Sequence, residues 1–236
     1  MNDTFVEIQD LRKIYRMGET EVRALDGVSL EIPKGAFVVL IGPSGSGKST
    51  MLYLIGGLDT PTSGSIIVDG VAIEEMDENA LARYRRERLG FIFQSFNLVS
   101  SMTAADNVSF SLRFSGVRKK ERFGRAKDLL SAVGLEDRVG HKPTELSGGQ
   151  QQRVAVSRAL VNDPDLILAD EPTGNLDTSS GMAIMQLLNE LNKKGKTIIV
   201  ATHDPRMLAF ATEVVHLIDG QRVSETEYQE IIQQLG

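Results

Sequence analysis

The sequence predicts an α/β fold with a mainly parallel sheet. Two apolar segments, "DLILAD" at 165–170 and "TIIVAT" at 197–202, are continuous rather than alternating, which is typical of parallel strands covered on both faces. The segment between them, "SGMAIMQLLNELNKKG", has helical periodicity and ends at a glycine. This succession indicates strands joined by helical crossovers, and "GAFVVLIG" at 35–42 predicts a further strand.

The rest of the chain divides into a β-rich start and a helical middle. Residues 5–40 contain alternating segments typical of strands, "SGSIIVDGVAI" at 63–73 predicts a hairpin, and "LGFIFQ" at 89–94 predicts a short strand. From about 96 to 160 the pattern changes to helical segments with few β-branched runs. We therefore expect a mostly helical insertion, followed by the strands of the sheet and, after "EVVHLIDG", a short helical tail.

The composition excludes several kinds of site. The 236-residue chain has no cysteine, which rules out disulfides, thiolate metal sites and a cysteine nucleophile. Its three histidines are not clustered, which argues against structural zinc. The formal net charge of −6 argues against a nucleic-acid partner. One basic stretch, "RYRRER" at 83–88, indicates either a solvated helix face or a patch for a partner or for acidic lipid headgroups.

The sequence carries no signal for membrane insertion. No apolar run reaches the roughly 18 to 20 residues that a bilayer span needs. The start, "MNDTFVEIQD", lacks a basic segment followed by an apolar one. We therefore expect a cytoplasmic protein, to which another chain would have to supply any membrane part.

A glycine-rich loop follows the strand at 35–42. "GPSGSGKS" at 42–49 fits the pattern G-x-x-x-x-G-K-[ST], in which glycines let backbone N–H groups face phosphate oxygens. The start of the following helix adds its partial positive charge. Lys48 would reach the β- and γ-phosphates, and Ser49 would give its hydroxyl to Mg²⁺. The alternative is a turn that needs glycines for geometry alone, and the flanking strand and helix favour the phosphate site.

Carboxylates follow the strand at 165–170. Asp170 and Glu171 lie where the strand ends, at the edge where open α/β sheets bind ligands. Asp170 would hold Mg²⁺, and Glu171 would polarise an attacking water. Alternatively, "DEPTGNLD" is only a polar turn that caps the next helix. The glycine loop favours the functional interpretation.

Two further polar residues follow predicted strands. His203 comes directly after "TIIVAT" and would bond a γ-phosphate and orient the water. Gln94 comes after "LGFIF" and would bring an oxygen toward Mg²⁺ or the water. Position alone leaves structural roles equally open for both residues.

A second glycine turn, "ELSGGQQQR" at 145–153, opens a helical segment. Ser147 and Gln150 have the spacing of a capping box, in which each side chain accepts from the other's backbone N–H. Gly148 and Gly149 need a separate explanation, since each glycine within a helix costs about 1 kcal/mol. They would leave a helix N-terminus free of side chains, which suits an anion.

The motif "LSGGQ" at 146–150 resembles the signature of the ATP-binding-cassette (ABC) ATPases. The sequence is similar to this family along nearly its whole length, and "FIFQSFNL" and "ILADEPTGNLD" resemble its MacB, LolD and FtsE group, whose cassettes pair with a permease of the FtsX/MacB type. The family elements occur in the expected order: Tyr15, the loop at 42–50, Gln94, the signature at 146–150, the acidic strand at 166–171, "NLD" at 175–177 and His203.

The resemblance implies one ABC ATPase domain over residues 1–236. A P-loop NTPase core of the RecA-like type, with an N-terminal antiparallel β-subdomain, would take about 1–95 and 161–236. A helical subdomain carrying the signature would take about 96–160. The segment after Gln94 would line a groove for the permease, through Phe96, Asn97 and Leu98, although core packing is an equally good explanation for the two apolar residues.

The resemblance also implies a site shared between two copies paired head to tail. Catalysis would rest on Glu171, His203 and Lys48. Tyr15 would stack on adenine. Mg²⁺ would be held by Ser49, Gln94 and Asp170. The remaining ATP contacts within the chain would come from Gly42, Pro43, Ser44, Gly45, Ser46, Gly47 and Thr50, and the contacts to the ATP of the partner copy from Ser147, Gly148, Gly149, Gln150 and Asp177.

The alternatives differ in partner and in chemistry. One is a soluble ATPase of the same superfamily without a membrane partner, although such proteins carry two cassettes or a long coiled-coil insertion. Another is a P-loop kinase or GTPase, but the sequence has no N/T-K-x-D motif for guanine and a kinase has no need of "LSGGQ". Whether the complex would export a substrate or only transmit mechanical work stays open.

Overall fold

The computed structural model describes residues 4–18 and 20–235. The strands are β1 Thr4–Met17, β2 Thr20–Pro33, β3 Phe37–Ile41, β4 Ser63–Val68, β5 Val71–Ala72, β6 Leu89–Ile92, β7 Leu166–Asp170, β8 Thr197–Thr202, β9 Glu213–Ile218 and β10 Gln221–Val223. The α-helices are α1 Lys48–Ile55, α2 Glu78–Glu87, α3 Ala104–Phe114, α4 Lys119–Ala132, α5 Gly148–Leu160, α6 Thr178–Lys193 and α7 Glu225–Leu235. Short 3₁₀ segments lie at Glu136–Arg138, Pro143–Glu145 and Pro205–Phe210.

The central sheet has the strand order β10-β9-β3-β8-β7-β6. β9, β3, β8, β7 and β6 run parallel, and β10 pairs antiparallel with β9 at one edge. Every residue of β3, β7 and β8 is buried, as their continuous apolar sequences predict. The predicted α/β class with a mainly parallel sheet is confirmed.

A second, antiparallel sheet has the order β2-β1-β4-β5. Its apolar side chains share one core cluster with α1 and with one face of the central sheet, so α1 lies between the two sheets. The predicted hairpin is the β4–β5 pair. Helices α5 and α6 cover the opposite face, where Val156, Ile184 and Leu188 pack against side chains of β7 and β8.

Helices α3, α4 and α5 form a separate apolar cluster, which includes Val108, Leu112, Leu130 and Val154. Val154 of α5 belongs to this cluster, whereas Val156 and Ala159 of the same helix pack against the central sheet. Helix α5 therefore joins the helical part of the chain to the sheet. Within residues 4–18 and 20–235, no helix combines the length and the apolar character that crossing a bilayer requires.

Asn107 ties the segment before α3 to that helix. Its side chain is buried, its Oδ1 accepts from the Val99 N–H at 2.8 Å, and its Nδ2 donates to the carbonyl of Thr103 at 3.0 Å. Weaker contacts reach the carbonyls of Val99 and Met102, at 3.2 and 3.3 Å. The side-chain amide of Asn107 therefore provides hydrogen-bond partners for backbone groups of a turn that lies outside the strands.

Replacing Asn107 with alanine should lower the free energy of unfolding by about 1–3 kcal/mol, because the part-buried backbone groups that bond its side chain lose their partner. Urea unfolding followed by circular dichroism measures the change. Asn79→Ala is the matched control, because Asn79 is exposed on α2. Equal midpoints for Asn107→Ala and the unsubstituted chain would contradict the structural role of Asn107.

Candidate active site

The carboxyl ends of four neighbouring strands bring the predicted site residues to one edge of the sheet. In the strand register Ile41 pairs with Thr202, Asp170 pairs with Ala201, and Ile92 pairs with Ala169. The glycine loop, His203, Glu171 and Gln94 each follow one of these strands, so they emerge side by side. Parallel direction alone explains this convergence.

The glycines of the loop serve two different purposes. Gly45 and Gly47 have left-handed backbones, with φ of 83° and 99°, and a side chain on Gly45 would meet no atom within 4 Å. A Cβ on Gly42 would lie 2.2 Å from the Leu217 carbonyl oxygen, and one on Gly47 would lie 2.3 Å from that of Ala24. Gly42 and Gly47 therefore also permit close packing, which the motif alone did not indicate.

Lys48 opens α1 and is 7% exposed. Its Nζ donates to the carbonyls of Gly42 and Pro43, both at 2.8 Å, so the side chain folds back along the loop. Burial lowers the pKa of the ammonium, and the charges of Glu171 and Asp170 oppose that shift. The first turn of α1 carries no acidic residue, so the positive end of the helix stays unneutralised.

Asp170 ends β7, is buried, and accepts a hydrogen bond at each carboxylate oxygen. Ser49 Oγ donates to Oδ1 at 2.7 Å, and the Tyr53 hydroxyl donates to Oδ2 at 3.0 Å. Burial and the charge of Asp170 raise the pKa of Tyr53 to about 12, so its phenol keeps its proton near neutral pH. A hydroxyl beside a carboxylate is the oxygen donor set that Mg²⁺ prefers, so these residues fit the ion. Sequence reasoning missed Tyr53, although its position one turn after Ser49 was a usable signal.

Glu171 lies next to Asp170 but has different partners. Its Oε1 is 2.8 Å from His203 Nδ1, and its Oε2 accepts from the Thr202 hydroxyl at 3.1 Å. If the carboxylate is ionised it only accepts, so Nδ1 then carries the hydrogen and Nε2 faces away from Glu171. The backbone of Glu171 has a φ of 43°, unusual for a residue other than glycine, and its N–H donates to the Ala201 carbonyl at 2.8 Å.

Gln94 lies beside the loop that follows Glu171. Its backbone carbonyl accepts from Asn175 Nδ2 at 2.9 Å, and its side-chain Nε2 would be 3.2 Å from a Cβ placed on Gly174. The structure therefore brings the Gln94 side chain to the acidic loop. Its contacts there are with residues after Glu171 rather than with Asp170.

The turn at Ser147 has the predicted capping box. Ser147 Oγ accepts from the Gln150 N–H at 3.4 Å, and the Ser147 N–H donates to Gln150 Oε1 at 3.0 Å. A Cβ on Gly149 would lie 2.6 Å from Ser180 Oγ of α6, whereas one on Gly148 would have ordinary contacts. Gly149 thus permits two helices of the same chain to approach closely, and only Gly148 and Ser147 keep the helix start open.

Asp177 caps α6. Its Oδ1 accepts from Ser179 Oγ at 2.6 Å and from the Ser180 N–H at 3.0 Å, and these bonds hold the pKa of the carboxyl well below its ordinary value. The capping alternative drawn from the sequence therefore holds for Asp177. It does not conflict with a contact to a second copy, since the other carboxylate face remains exposed.

Tyr15 is held by its neighbours on β1 and after α1. Its hydroxyl donates to Asp59 Oδ2 at 2.7 Å, and Lys13 Nζ lies 4.9 Å from the ring centroid while pairing with Asp59 at 2.6 Å. The ammonium therefore lies over the ring, whose orientation is set by the Asp59 hydrogen bond.

Two residues of α5 that sequence reasoning missed connect the helical part to the site. Gln152 is fully buried and its Nε2 donates to the Pro172 carbonyl at 2.8 Å, one residue after Glu171. Arg158 donates to the carbonyls of Asn97 and Phe96, the latter at 2.8 Å.

Comparison with known proteins identifies the family of the chain. The family model of the ABC transporter matches residues 25–174. An uncharacterized ABC transporter ATP-binding protein of Thermotoga maritima is 50% identical, over 92% of this chain and 92% of its own. The macrolide export ATP-binding/permease protein MacB of Hyphomonas neptunium is 50% identical over 96% of this chain. The match covers 35% of that MacB, so the chain spans about a third of its length.

A solved structure is similar along nearly the whole chain. It is a dimeric ATP-binding cassette in a post-hydrolysis state, bound to ADP and Pi, with a TM-score of 0.88 and 46% identity over 93% of this chain and 97% of that chain. The predicted P-loop NTPase fold is thereby confirmed. The sheet edge, its glycine loop and these matches establish that the chain belongs to the ABC transporter family, as an ATP-binding and ATP-hydrolysing subunit.

Proposed function

We propose that two copies of this chain bind ATP and Mg²⁺ between them and that hydrolysis drives a membrane permease. The observation that carries the proposal is the pair of adjacent carboxylates at the end of β7. Asp170 is held by hydroxyls beside the glycine loop, and Glu171 is held by Thr202 and His203. One acid thus suits a metal ion, and the other suits a water molecule.

ATP would lie along the glycine loop, with its phosphates over the N-terminus of α1. The contacts would come from Tyr15, Gln94 and the loop residues Gly42, Pro43, Ser44, Gly45, Ser46, Gly47, Lys48, Ser49 and Thr50. Lys48 supports this assignment. Its ammonium donates to two carbonyls of the loop, and it could exchange these bonds for bonds to a phosphate. Tyr15 would offer adenine the ring face opposite Lys13.

Ser49, Asp170 and Gln94 would hold Mg²⁺. When bound, the ion would neutralise charge that develops on the transferring phosphoryl group. Ser49 and Asp170 are already within hydrogen-bond distance, and Tyr53 orients the second oxygen of Asp170. Gln94 would have to turn from Gly174 toward Asp170, so its role depends on a movement of the loop.

Glu171 would act as the base that deprotonates the attacking water. Hydrogen bonds from Thr202 and His203 fix the carboxylate, which leaves its remaining lone pairs for the water. His203 would use its other nitrogen to bond the γ-phosphate. Glu171 and His203 would therefore align water and phosphate as one unit, with Lys48 on the phosphate.

The turn at Ser147 would close on the ATP of the partner copy. Ser147, Gly148, Gly149, Gln150 and Asp177 would form this face. The exposure of Ser147 and the uncharged start of α5 support an anion at this place. ATP would then hold two copies together, and loss of the γ-phosphate would release them, which makes the dimer a two-state switch.

The permease would be of the FtsX/MacB type and would hold the chain at the cytoplasmic face of the membrane. The MacB relatives support this partner, because their name joins an ATP-binding part and a permease in one protein. Phe96, Asn97 and Leu98, beside α3 and α5, would receive it. Recovery in detergent of a permease with four membrane helices and a large extracytoplasmic domain would support this group. A soluble ATPase without a partner is the weaker alternative.

Glu171→Gln should retain ATP binding, lower turnover by about 10²-fold or more, and accumulate an ATP-bound dimer, because the water loses its base. Phosphate release and size-exclusion chromatography with ATP measure the two effects. Glu190→Gln on the exposed side of α6 is the matched control and should behave like the unsubstituted chain. Rapid turnover by Glu171→Gln would rule out the assigned role.

Mixing Lys48→Ala with Ser147→Arg chains should restore ATPase activity above either variant alone. In a mixed dimer, one ATP site carries both substitutions and the other ATP site carries neither. The expected recovery follows from a site built by two copies. Failure to recover, once mixed dimers are demonstrated by differential tagging, would exclude composite sites.

Tyr53→Phe should raise the Mg²⁺ concentration for half-maximal ATPase activity by about tenfold, because Asp170 loses the hydroxyl that orients it. A Mg²⁺ titration at saturating ATP measures this. Tyr84→Phe is the control, since its hydroxyl bonds the Ile55 carbonyl away from the site. An unchanged or lower Mg²⁺ requirement in Tyr53→Phe would contradict the orienting role.

A further inference from the structure

The hairpin tip, defined as residues 110–127, joins α3 to α4 and carries an exposed aromatic pair. Phe114 is 62% exposed and Phe110 is 39% exposed, and their rings meet edge to face with centroids 5.3 Å apart. Burying rings of this size removes considerable apolar surface from water. Their exposure on the last turns of α3 indicates a surface that something else covers.

The same tip concentrates positive charge. Of the eight charged residues from Arg113 to Lys127, seven are basic, in a chain whose formal net charge is −6. Glu121 is the acid among them and pairs with Arg125 at 2.7 Å. The exposed basic residues are Arg113, Arg118, Lys119, Lys120, Arg125 and Lys127.

The other basic stretch of the chain differs from the tip. In "RYRRER" at 83–88, Tyr84 is buried, Arg85 donates to the Gly57 carbonyl, and Arg88 pairs with Asp69 at 3.0 Å. Arg85 and Arg88 are thus already bonded to groups of the same chain. Within residues 4–18 and 20–235, basic charge and exposed aromatic rings coincide at the tip.

The tip lies at the opposite end of α3 from the loop after Gln94, where the permease groove is proposed. Helix α3 has 11 residues, which corresponds to a length of about 16 Å between its start and Phe114. Asn107 fixes the loop after Gln94 at the other end of that helix. A ligand at the tip would therefore contact a different part of α3 from a permease bound beside that loop.

We infer that the hairpin tip binds the anionic surface of a lipid bilayer. Lys and Arg side chains attract acidic headgroups, and exposed Phe rings insert at the boundary between headgroups and acyl chains. The chain is exposed from Arg113 to Gly116 and again from Arg118 to Glu121, as expected of a projecting turn that meets a flat surface. Because the rest of the chain is acidic overall, binding would orient the tip toward the membrane.

Co-sedimentation of the full 236-residue chain with vesicles tests the inference. Vesicles of phosphatidylglycerol and phosphatidylcholine in equal parts should retain the chain, and vesicles of phosphatidylcholine alone should not. Lys119→Glu/Lys120→Glu should weaken binding at least about tenfold, because each reversed charge near the surface acts against attraction. Phe114→Ser should also weaken binding, and added salt should weaken it further.

The matched control is Lys193→Glu/Lys194→Glu, the same charge change at the exposed end of α6. It should bind vesicles like the unsubstituted chain. The tip variant is expected to fold, because glutamates in the first turn of α4 suit the helix dipole, and unchanged ATPase activity and thermal midpoint verify this.

Absence of binding to anionic vesicles, or equal binding by tip and control variants, would overturn the inference. Competition by polyglutamate distinguishes the other source of negative charge. If polyglutamate binds as tightly as vesicles and Phe114→Ser has no effect on vesicle binding, the tip recognises acidic peptides and the lipid inference is wrong.

Discussion

The alignment of four parallel strands determines where the chemistry lies. Because β3, β8, β7 and β6 run in one direction and in close register, each delivers its following residues to the same sheet edge. A single antiparallel strand among them would send its polar residues to the opposite edge. The side chains within these strands are mainly apolar, because both faces of the sheet are buried under helices and the second sheet. The apolar core therefore positions the site.

Within that edge, neighbouring acids acquire different roles from their partners. Asp170 accepts hydrogen bonds from two hydroxyls of α1, those of Ser49 and Tyr53. Glu171, one residue later, is turned by its unusual backbone toward the end of β8, where Thr202 and His203 hold it. The difference is one of environment, because the side chains differ by a single methylene group.

The helical part is connected to this edge by a few hydrogen bonds from α5. Gln152 bonds the Pro172 carbonyl, and Arg158 bonds the turn after Gln94, so α5 contacts both loops that flank the carboxylates. Gly149 permits the close approach of α5 to α6. A shift of the helical part would therefore displace the loops that carry Glu171 and Gln94. A switch coupled to ATP requires a connection of this kind.

The sequence by itself determined the fold class, the glycine loop, the carboxylates at 170–171 and the capping box at Ser147, because these depend on local periodicity and short spacings. It did not reveal Tyr53, the Gln152 bond to Pro172 or the packing that requires glycine at Gly149. Tertiary structure decided those, since each joins residues distant in the chain and depends on how helices lie against the sheet. Short sequence patterns do not encode such contacts, because the contacts form only when the helices pack against the sheet.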